Sequence, residues 1–118
     1  MNWTAVAAIL MALGVAIGAF GAHGLRGRLD EYSMGIYERA VFYHFVHALG
    51  LLIVSMLPRQ PALLWVSWLL LAGIVLFSGS LYVLAISGVR ALGAVTPFGG
   101  ISFIAAWLVL AFAMLRSK

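Results

Sequence analysis

Four stretches of the chain, each about twenty residues long, consist mainly of apolar residues, and three of them contain no charged residue. A helix needs about 20 such residues to cross the hydrocarbon core of a bilayer. Since 65% of all residues are hydrophobic and only 8% are charged, a soluble core could not bury this apolar surface. The apolar runs are continuous rather than alternating, which excludes the pattern of a membrane β-barrel. The sequence therefore predicts an all-α, integral membrane four-helix bundle that forms a single domain over 1–118, with helices at about 3–22, 36–57, 63–86 and 97–115.

Local signals predict where several of these helices begin and end. Pro61 is favoured in the first turn of a helix, and Gly88 is expected to end the third helix in the left-handed conformation. Either Asp30 or Ser33 is expected to cap the start of the second helix. Thr96, which precedes a proline, is expected to cap the start of the fourth helix.

Basic residues are almost evenly divided between the two sides of the membrane. An even number of helices places both chain ends on one side, which we call the terminal face. This face carries Arg59, Arg116 and Lys118, and the opposite face carries Arg26, Arg28 and Arg90. The excess of basic residues that sets orientation is therefore small, and we expect the termini to be cytoplasmic. The basic residues are scattered rather than gathered in a run, which indicates headgroup contacts and no nucleic-acid partner.

The sequence offers little reaction chemistry. It contains no cysteine, which excludes disulfides, thiolate metal sites and iron–sulfur clusters. No nucleophile elbow, phosphate loop or dinucleotide fingerprint is present. The three acidic residues all lie between Asp30 and Glu38, so general acid–base catalysis has few candidates. We therefore expect a protein that is not an enzyme and that carries no cofactor.

Five ionisable residues lie at the end of the first helix and in the first half of the second. An ionisable side chain at membrane depth is expensive and is seldom kept without a partner or a role. Because the two helices run antiparallel, His23 should lie level with the early second helix. The sequence therefore predicts a polar cluster formed by His23, Glu38, Arg39, His44 and His47.

Four interpretations of this polar cluster remain open. It fits a proton or ion relay, an axial-ligand set for haem, or a transition-metal site. It also fits a structural hydrogen-bond cluster that ties the long first loop to the bundle while Arg39 extends its charge towards water. Because the spacing of the histidines matches no conventional metal motif, the structural interpretation is the leading one.

Small residues recur at helical spacing and predict close contacts between helices. Gly14 and Gly18 form a GxxxG pair, which lets helix backbones approach closely in lipid. Packing within the bundle is the favoured interpretation of this stripe, and a homodimer seam is the alternative. Ser78 and Ser80 are expected to bond to the preceding carbonyl groups of their own helix. The full set of predicted packing positions is Gly14, Gly18, Gly21, Gly73, Gly79, Gly99 and Gly100.

Four ordered sequence blocks resemble those of a known family. The family comprises small bacterial membrane proteins of unknown function and also includes eukaryotic transmembrane protein 256. The resemblance covers nearly the whole chain and implies a four-helix protein of the bacterial inner (plasma) membrane, with no assigned reaction, cofactor or catalytic residue. It singles out His23 and His47 more than His44, where relatives often carry glutamine. The blocks are 18–25 (GAFGAHGL), Tyr43 with 47–49 (HAL), 76–82 (LFSGSLY), and Thr96-Pro97 with Gly99-Gly100 and Trp107.

Together these observations favour a non-enzymatic accessory or stabilising subunit. Its expected partners are the lipid bilayer and either further copies of itself or a larger membrane complex. One alternative is an oligomeric transporter or channel that passes protons or a small solute along His23, Glu38 and His47. A second alternative is haem or metal binding through His23 and His47.

Overall fold

The structure, a computed structural model, describes residues 1–117 and contains four helices. Lys118, counted above on the terminal face, lies outside the described residues. No strand occurs within 1–117. The first and third helices each contain a π-helical segment, at Gly21–Leu25 and Ile74–Gly79 respectively. A short 3-10 turn at Arg90–Ala94 precedes the fourth helix. The helices are Trp3–Leu25, Glu31–Ser55, Pro61–Ser87 and Thr96–Arg116.

Three segments are long and apolar enough to cross a membrane: Trp3–Leu25, Pro61–Ser87 and Arg90–Arg116. The second helix has 25 residues, which corresponds to about 37 Å. It is therefore long enough to span, but its ionisable residues make it the most polar of the four. Ten of its residues are buried, and ten residues of the third helix are buried as well. The buried residues of the second helix include His44 and His47.

Most of the predicted helix boundaries are present. Pro61 occupies the first turn of the third helix, and Gly88 ends that helix with a positive φ of 75°. Asp30 caps the second helix by accepting a hydrogen bond from the backbone N–H of Ser33 at 2.7 Å. The second helix therefore begins at Glu31 rather than at about 36, because its first turn is stabilised outside the apolar run.

The prediction that Thr96 caps the fourth helix is wrong. Thr96 already lies in the first turn of that helix, and Val95 holds the cap position without a side-chain hydrogen bond. The Thr96 hydroxyl instead lies 2.6 Å from the hydroxyl of Ser80 on the third helix. A contact between helices thus replaces the local cap.

Two apolar clusters form the core. The cluster nearer the terminal face includes Leu51, Val66 and Leu70, all fully buried. The cluster nearer the opposite face includes Tyr37 and Ala40 on the second helix and Leu81 on the third. Phe77 packs against both, so the two clusters are continuous through the π-helical segment of the third helix.

The glycine stripe of the first helix faces the second helix of the same chain. A Cβ atom added to Gly14 would lie 2.9 Å from the ring of Phe45, and one added to Gly18 would lie 3.4 Å from Val41. An added Cβ on Gly21 would overlap the ring of Tyr37. The stripe is therefore used within the bundle.

The fourth helix approaches the third most closely at Gly99. A Cβ there would overlap the backbone nitrogen of Phe77, so the two main chains are in direct contact. A Cβ on Gly73 would overlap the ring of Phe103, which fills the space beside the third helix. At the remaining predicted packing positions an added Cβ would meet only ordinary contacts, with nearest atoms at 4.0 Å for Gly79 and 3.9 Å for Gly100.

Candidate functional site

The structure does not bring His23, Glu38 and His44 together. The Glu38 carboxylate lies 3.3 Å from the guanidinium of Arg26, and both side chains are more than half exposed. His23 is exposed in the π-helical turn that ends the first helix, and Arg39 is exposed on the second. His44 is buried, with an exposed fraction of 3%. The ionisable residues are thus divided between the aqueous edge of the bundle and its interior.

The register of the first two helices explains this separation. Gly21 lies against Tyr37 and Gly14 against Phe45, so His23 is level with about residue 35 and His47 with about residue 11. Along the helix axis, His23 and His47 are therefore about 18 Å apart at 1.5 Å per residue. They cannot ligate one metal or one haem within a single chain. Among residues 1–117, no group of three or more His, Asp or Glu side chains is arranged to hold a metal ion.

His44 links three helices through both of its ring nitrogens. Nε2 lies 2.7 Å from the carbonyl oxygen of Leu10, and Nδ1 lies 2.7 Å from the hydroxyl of Tyr82. A carbonyl only accepts, so Nε2 carries the proton, and Nδ1 of the neutral ring accepts from the Tyr82 hydroxyl. Because both nitrogens are engaged, His44 has none available for a metal or a substrate.

Two further polar side chains bond across the same region. The hydroxyl of Tyr37 donates to the carbonyl oxygen of Ile17 at 2.5 Å. The hydroxyl of Ser78 donates to the carbonyl oxygen of Ala40 at 2.8 Å. The expectation that Ser78 bonds within its own helix is therefore wrong, because the π-helical segment turns its side chain towards the second helix.

The other serine of this segment behaves as expected. The Ser80 hydroxyl donates to the carbonyl oxygen of Phe77, three residues earlier, at 3.0 Å. Five hydrogen-bonded polar side chains lie in the half of the bundle nearer the opposite face, and we call them the polar layer. Its members are Tyr37, His44, Ser78, Ser80 and Tyr82.

His47 is the buried histidine with a free ring position. Its Nδ1 donates to the carbonyl oxygen of Tyr43 at 2.8 Å, one turn earlier on the same helix. Its ring stacks on Phe103, with centroids 3.5 Å apart and planes inclined by 11°. Within residues 1–117, Nε2 has no hydrogen-bond partner. In the neutral ring this nitrogen is an acceptor, so His47 could take up a proton or a ligand there.

The hydrogen-bond partners of His44 could not be predicted from the sequence. Leu10 and Tyr82 are 34 and 38 residues away along the chain, and each lies in an ordinary apolar segment. The one available signal was that a tyrosine inside a membrane helix needs a hydrogen-bond partner for its hydroxyl. That signal applied to Tyr82, but it named no particular partner.

Electrostatic features at the two faces differ. On the face opposite the termini, the backbone N–H of Ser33 stabilises the charged form of Asp30 and lowers the pKa of its carboxyl below 3.8.

At the terminal face, two surface cavities of about 820 and 1040 Å³ border Arg59. The cavities thus lie away from the polar layer and beside a basic residue.

Known proteins match this chain over most of its length. The family described as "Protein of unknown function (DUF423)" matches residues 17–100. The UPF0382 membrane protein SERP0230 of Staphylococcus epidermidis is 50% identical over 106 residues, which are 88% of this chain and 87% of the relative. The UPF0382 membrane protein YwdK of Bacillus subtilis is 42% identical over 113 residues, 92% of each chain. No solved structure matches. These matches confirm the expected family of membrane proteins and name no catalytic activity.

Proposed function

The chain belongs to the DUF423 family of membrane proteins, and from that premise we propose that it is a non-enzymatic accessory or stabilising subunit of the bacterial inner membrane. In this proposal its termini are cytoplasmic. It associates through its lipid-facing surface with a second copy of itself or with a larger membrane protein, and it binds no nucleic acid.

A stripe of exposed alanines on the first helix supports this association. Ala8, Ala12 and Ala16 are four residues apart and exposed, on a different side from the buried Gly14. Small residues at this spacing let a neighbouring helix approach closely in lipid, where no hydrophobic effect drives association. Because the glycine stripe is already used within the chain, this alanine stripe is available to a partner.

The state of the polar layer supports a structural rather than a catalytic role. Among residues 1–117, no fully buried side-chain nitrogen or oxygen lacks a hydrogen-bond partner. Fully satisfied buried networks rigidify a core, whereas reactive sites more often keep unsatisfied or strained groups. The one ion pair among residues 1–117, between Arg26 and Glu38, lies at the aqueous edge.

Native mass spectrometry in mild detergent tests the proposal, with an absorbance spectrum from the same sample. We expect the wild-type protein to carry a second copy or a membrane protein in fixed stoichiometry, with no haem or metal mass. Ala12→Leu adds bulk to the alanine stripe and should remove most of the associated mass. Ala111→Leu, at an exposed alanine of the fourth helix, is the matched control and should keep it. A bare monomer, or equal effects of the two substitutions, would contradict the accessory role.

One observation favours a second candidate function. The free Nε2 of His47 supports an oligomeric transporter or channel for protons or a small solute, in which each chain supplies one histidine. Proton flux into liposomes containing wild-type protein, His47→Phe or His23→Phe separates the candidates. If the wild-type protein and His23→Phe conduct protons but His47→Phe does not, the transport function is supported. Flux no greater than in protein-free liposomes would remove this candidate.

A further inference from the structure

A groove at the terminal face combines basic and apolar walls. It has a volume of about 1040 Å³ and lies between the connection of the second and third helices and the last turns of the fourth. Leu108, Val109 and Phe112 form an apolar wall along the fourth helix. Arg59 and Arg116 stand at the two sides of the groove, and both are exposed.

Among residues 1–117, no acidic side chain lies beside the positive charge of this groove. The chain has three acidic residues, and all of them lie in the connection before the second helix or in its first turns. Within residues 1–117, the one ion pair joins Arg26 and Glu38 at the other end of the bundle. The groove therefore presents two uncompensated guanidinium groups and attracts an anion.

The geometry of Arg116 leaves its donors free. Its guanidinium lies over the ring of Phe112, with its central carbon 5.3 Å from the ring centroid. This contact uses the charge of the group and none of its N–H donors, which remain available to a phosphate. The Gln60 side chain, which makes no capping hydrogen bond, adds an amide donor to the same groove.

We propose that this groove binds one anionic phospholipid. The phosphate lies between Arg59 and Arg116, and one acyl chain runs along Leu108 and Phe112 into the membrane. From residue 108 to residue 116 the fourth helix extends about 12 Å, which matches the upper part of an acyl chain. A zwitterionic lipid carries its own cation, which would be repelled by the two arginines. The groove therefore selects phosphatidylglycerol over phosphatidylcholine. This inference does not depend on the accessory role.

The test uses the full chain reconstituted in vesicles of equal parts dioleoyl phosphatidylglycerol and dioleoyl phosphatidylcholine, then extracted into mild detergent for native mass spectrometry. We expect one retained phosphatidylglycerol per chain in clear excess over phosphatidylcholine. Arg59→Gln and Arg116→Gln should each lower the ratio of the two adducts about five-fold, because a basic residue near the surface contributes about that factor. Together they should abolish the preference.

The matched control is the double variant Arg28→Gln and Arg90→Gln, which removes two exposed arginines from the opposite face. It should keep the preference for phosphatidylglycerol. Equal retention of the two lipids by the wild-type protein would overturn the proposal. So would an equal loss of preference in the control variant, because that would indicate a general surface charge effect.

Two further measurements separate a lipid from a free anion. Leu108→Asn keeps both arginines but makes the apolar wall polar, and it should lower phosphatidylglycerol retention. Inorganic phosphate alone should not displace the lipid, since it makes no contact with that wall. Unchanged retention in Leu108→Asn, or full displacement by inorganic phosphate, would overturn the assignment to a lipid. Circular dichroism of each variant should show the wild-type helical content.

Discussion

His44 is a buried ionisable residue that stabilises the fold. Its two hydrogen bonds join the first and third helices to the second. We predict that His44→Phe lowers the free energy of unfolding by about 1–2 kcal/mol, since hydrogen bonds between membrane helices contribute on average about 0.6 and at most about 1.7 kcal/mol each. Part of the loss arises because the hydroxyl of Tyr82 is left without an acceptor. Unfolding by sodium dodecyl sulfate in mixed micelles, followed by circular dichroism, measures the change.

Two variants control this prediction. Combining His44→Phe with Tyr82→Phe should recover part of the loss, because no hydroxyl then remains unpaired. His23→Phe changes an exposed histidine and should alter stability by less than about 0.5 kcal/mol. If His23→Phe and His44→Phe were equally destabilising, the polar layer would not account for the effect.

Individual residues were predictable where their signal acts within a turn or two of the chain. Pro61, Gly88 and Asp30 hold their predicted positions because proline, left-handed glycine and a capping carboxylate act on neighbouring backbone. Thr96 failed because a hydroxyl from another helix competed with its local role. The partners of His44 depend on which helices are neighbours, which no local signal in one sequence specifies.

The close contact between the third and fourth helices depends on Gly99 and not on the adjacent Gly100. We predict that Gly99→Ala lowers the free energy of unfolding by about 1–3 kcal/mol, because the new Cβ would overlap the main chain at Phe77, which cannot rotate away. Gly100→Ala is the matched control, because its Cβ would meet only ordinary contacts at 3.9 Å and alanine favours helix. Gly100→Ala should be as stable as the wild type or more so.

The same mixed-micelle unfolding experiment measures both alanine variants. The size of the difference between them is the decisive quantity, since the substitutions are chemically identical and adjacent in sequence. Equal stabilities would mean that the third and fourth helices are not in main-chain contact at Phe77. If only Gly100→Ala lost stability, the fourth helix would pack against the third through the face that carries Gly100 instead of Gly99.

The cap of the second helix should make its first turn sensitive to acid. The pKa of Asp30 is lowered in the folded chain, so its contribution to stability is present above 3.8 and is lost as the pH falls through the folded pKa, below 3.8. We predict that hydrogen-exchange protection of the Ser33 amide decreases in that range. Asp30→Asn should keep the cap without the pH dependence, and Asp30→Ala should lose protection at every pH. The same pH dependence in Asp30→Asn would exclude Asp30 as the titrating group.

The π-helical segments of the first and third helices could not be predicted from the sequence. The sequence predicts a third helix without interruption at about 63–86, whereas Ile74–Gly79 is π-helical. An apolar run shows no local sign of a widened turn. The cause lies in packing, since this segment directs Ser78 to the carbonyl of Ala40 and brings Phe77 to Gly99. Such turns are frequent at functional sites. Gly21–Leu25 lies within a sequence block that carried the family resemblance, and Ile74–Gly79 overlaps another.

For the whole molecule, composition was sufficient to predict the number and type of helices but not their arrangement. Hydropathy correctly ranks the second helix as the most polar, but it does not indicate that His44 and His47 of this helix are buried. Charge is also segregated, with every acidic side chain at one end and the groove of Arg59 and Arg116 at the other. The terminal face is further closed by a hydrogen bond between Thr4 and Ser55 at 3.0 Å.

Membrane topology gives the prediction for the whole molecule. Cavities at the terminal face bring Asn2 beside Gln60, and Gln60 beside the end of the fourth helix, so both termini and this connection share one side. Because the chain has no cysteine, single cysteines can be introduced without background. We predict that Asn2→Cys and Gln60→Cys react with a membrane-impermeant maleimide only after lysis. Arg28→Cys and Val89→Cys should react in intact cells. If Asn2→Cys and Val89→Cys were labelled from the same side, the chain could not cross the membrane four times. If instead Asn2→Cys and Gln60→Cys reacted in intact cells and the other two only after lysis, the termini would lie outside the cytoplasm.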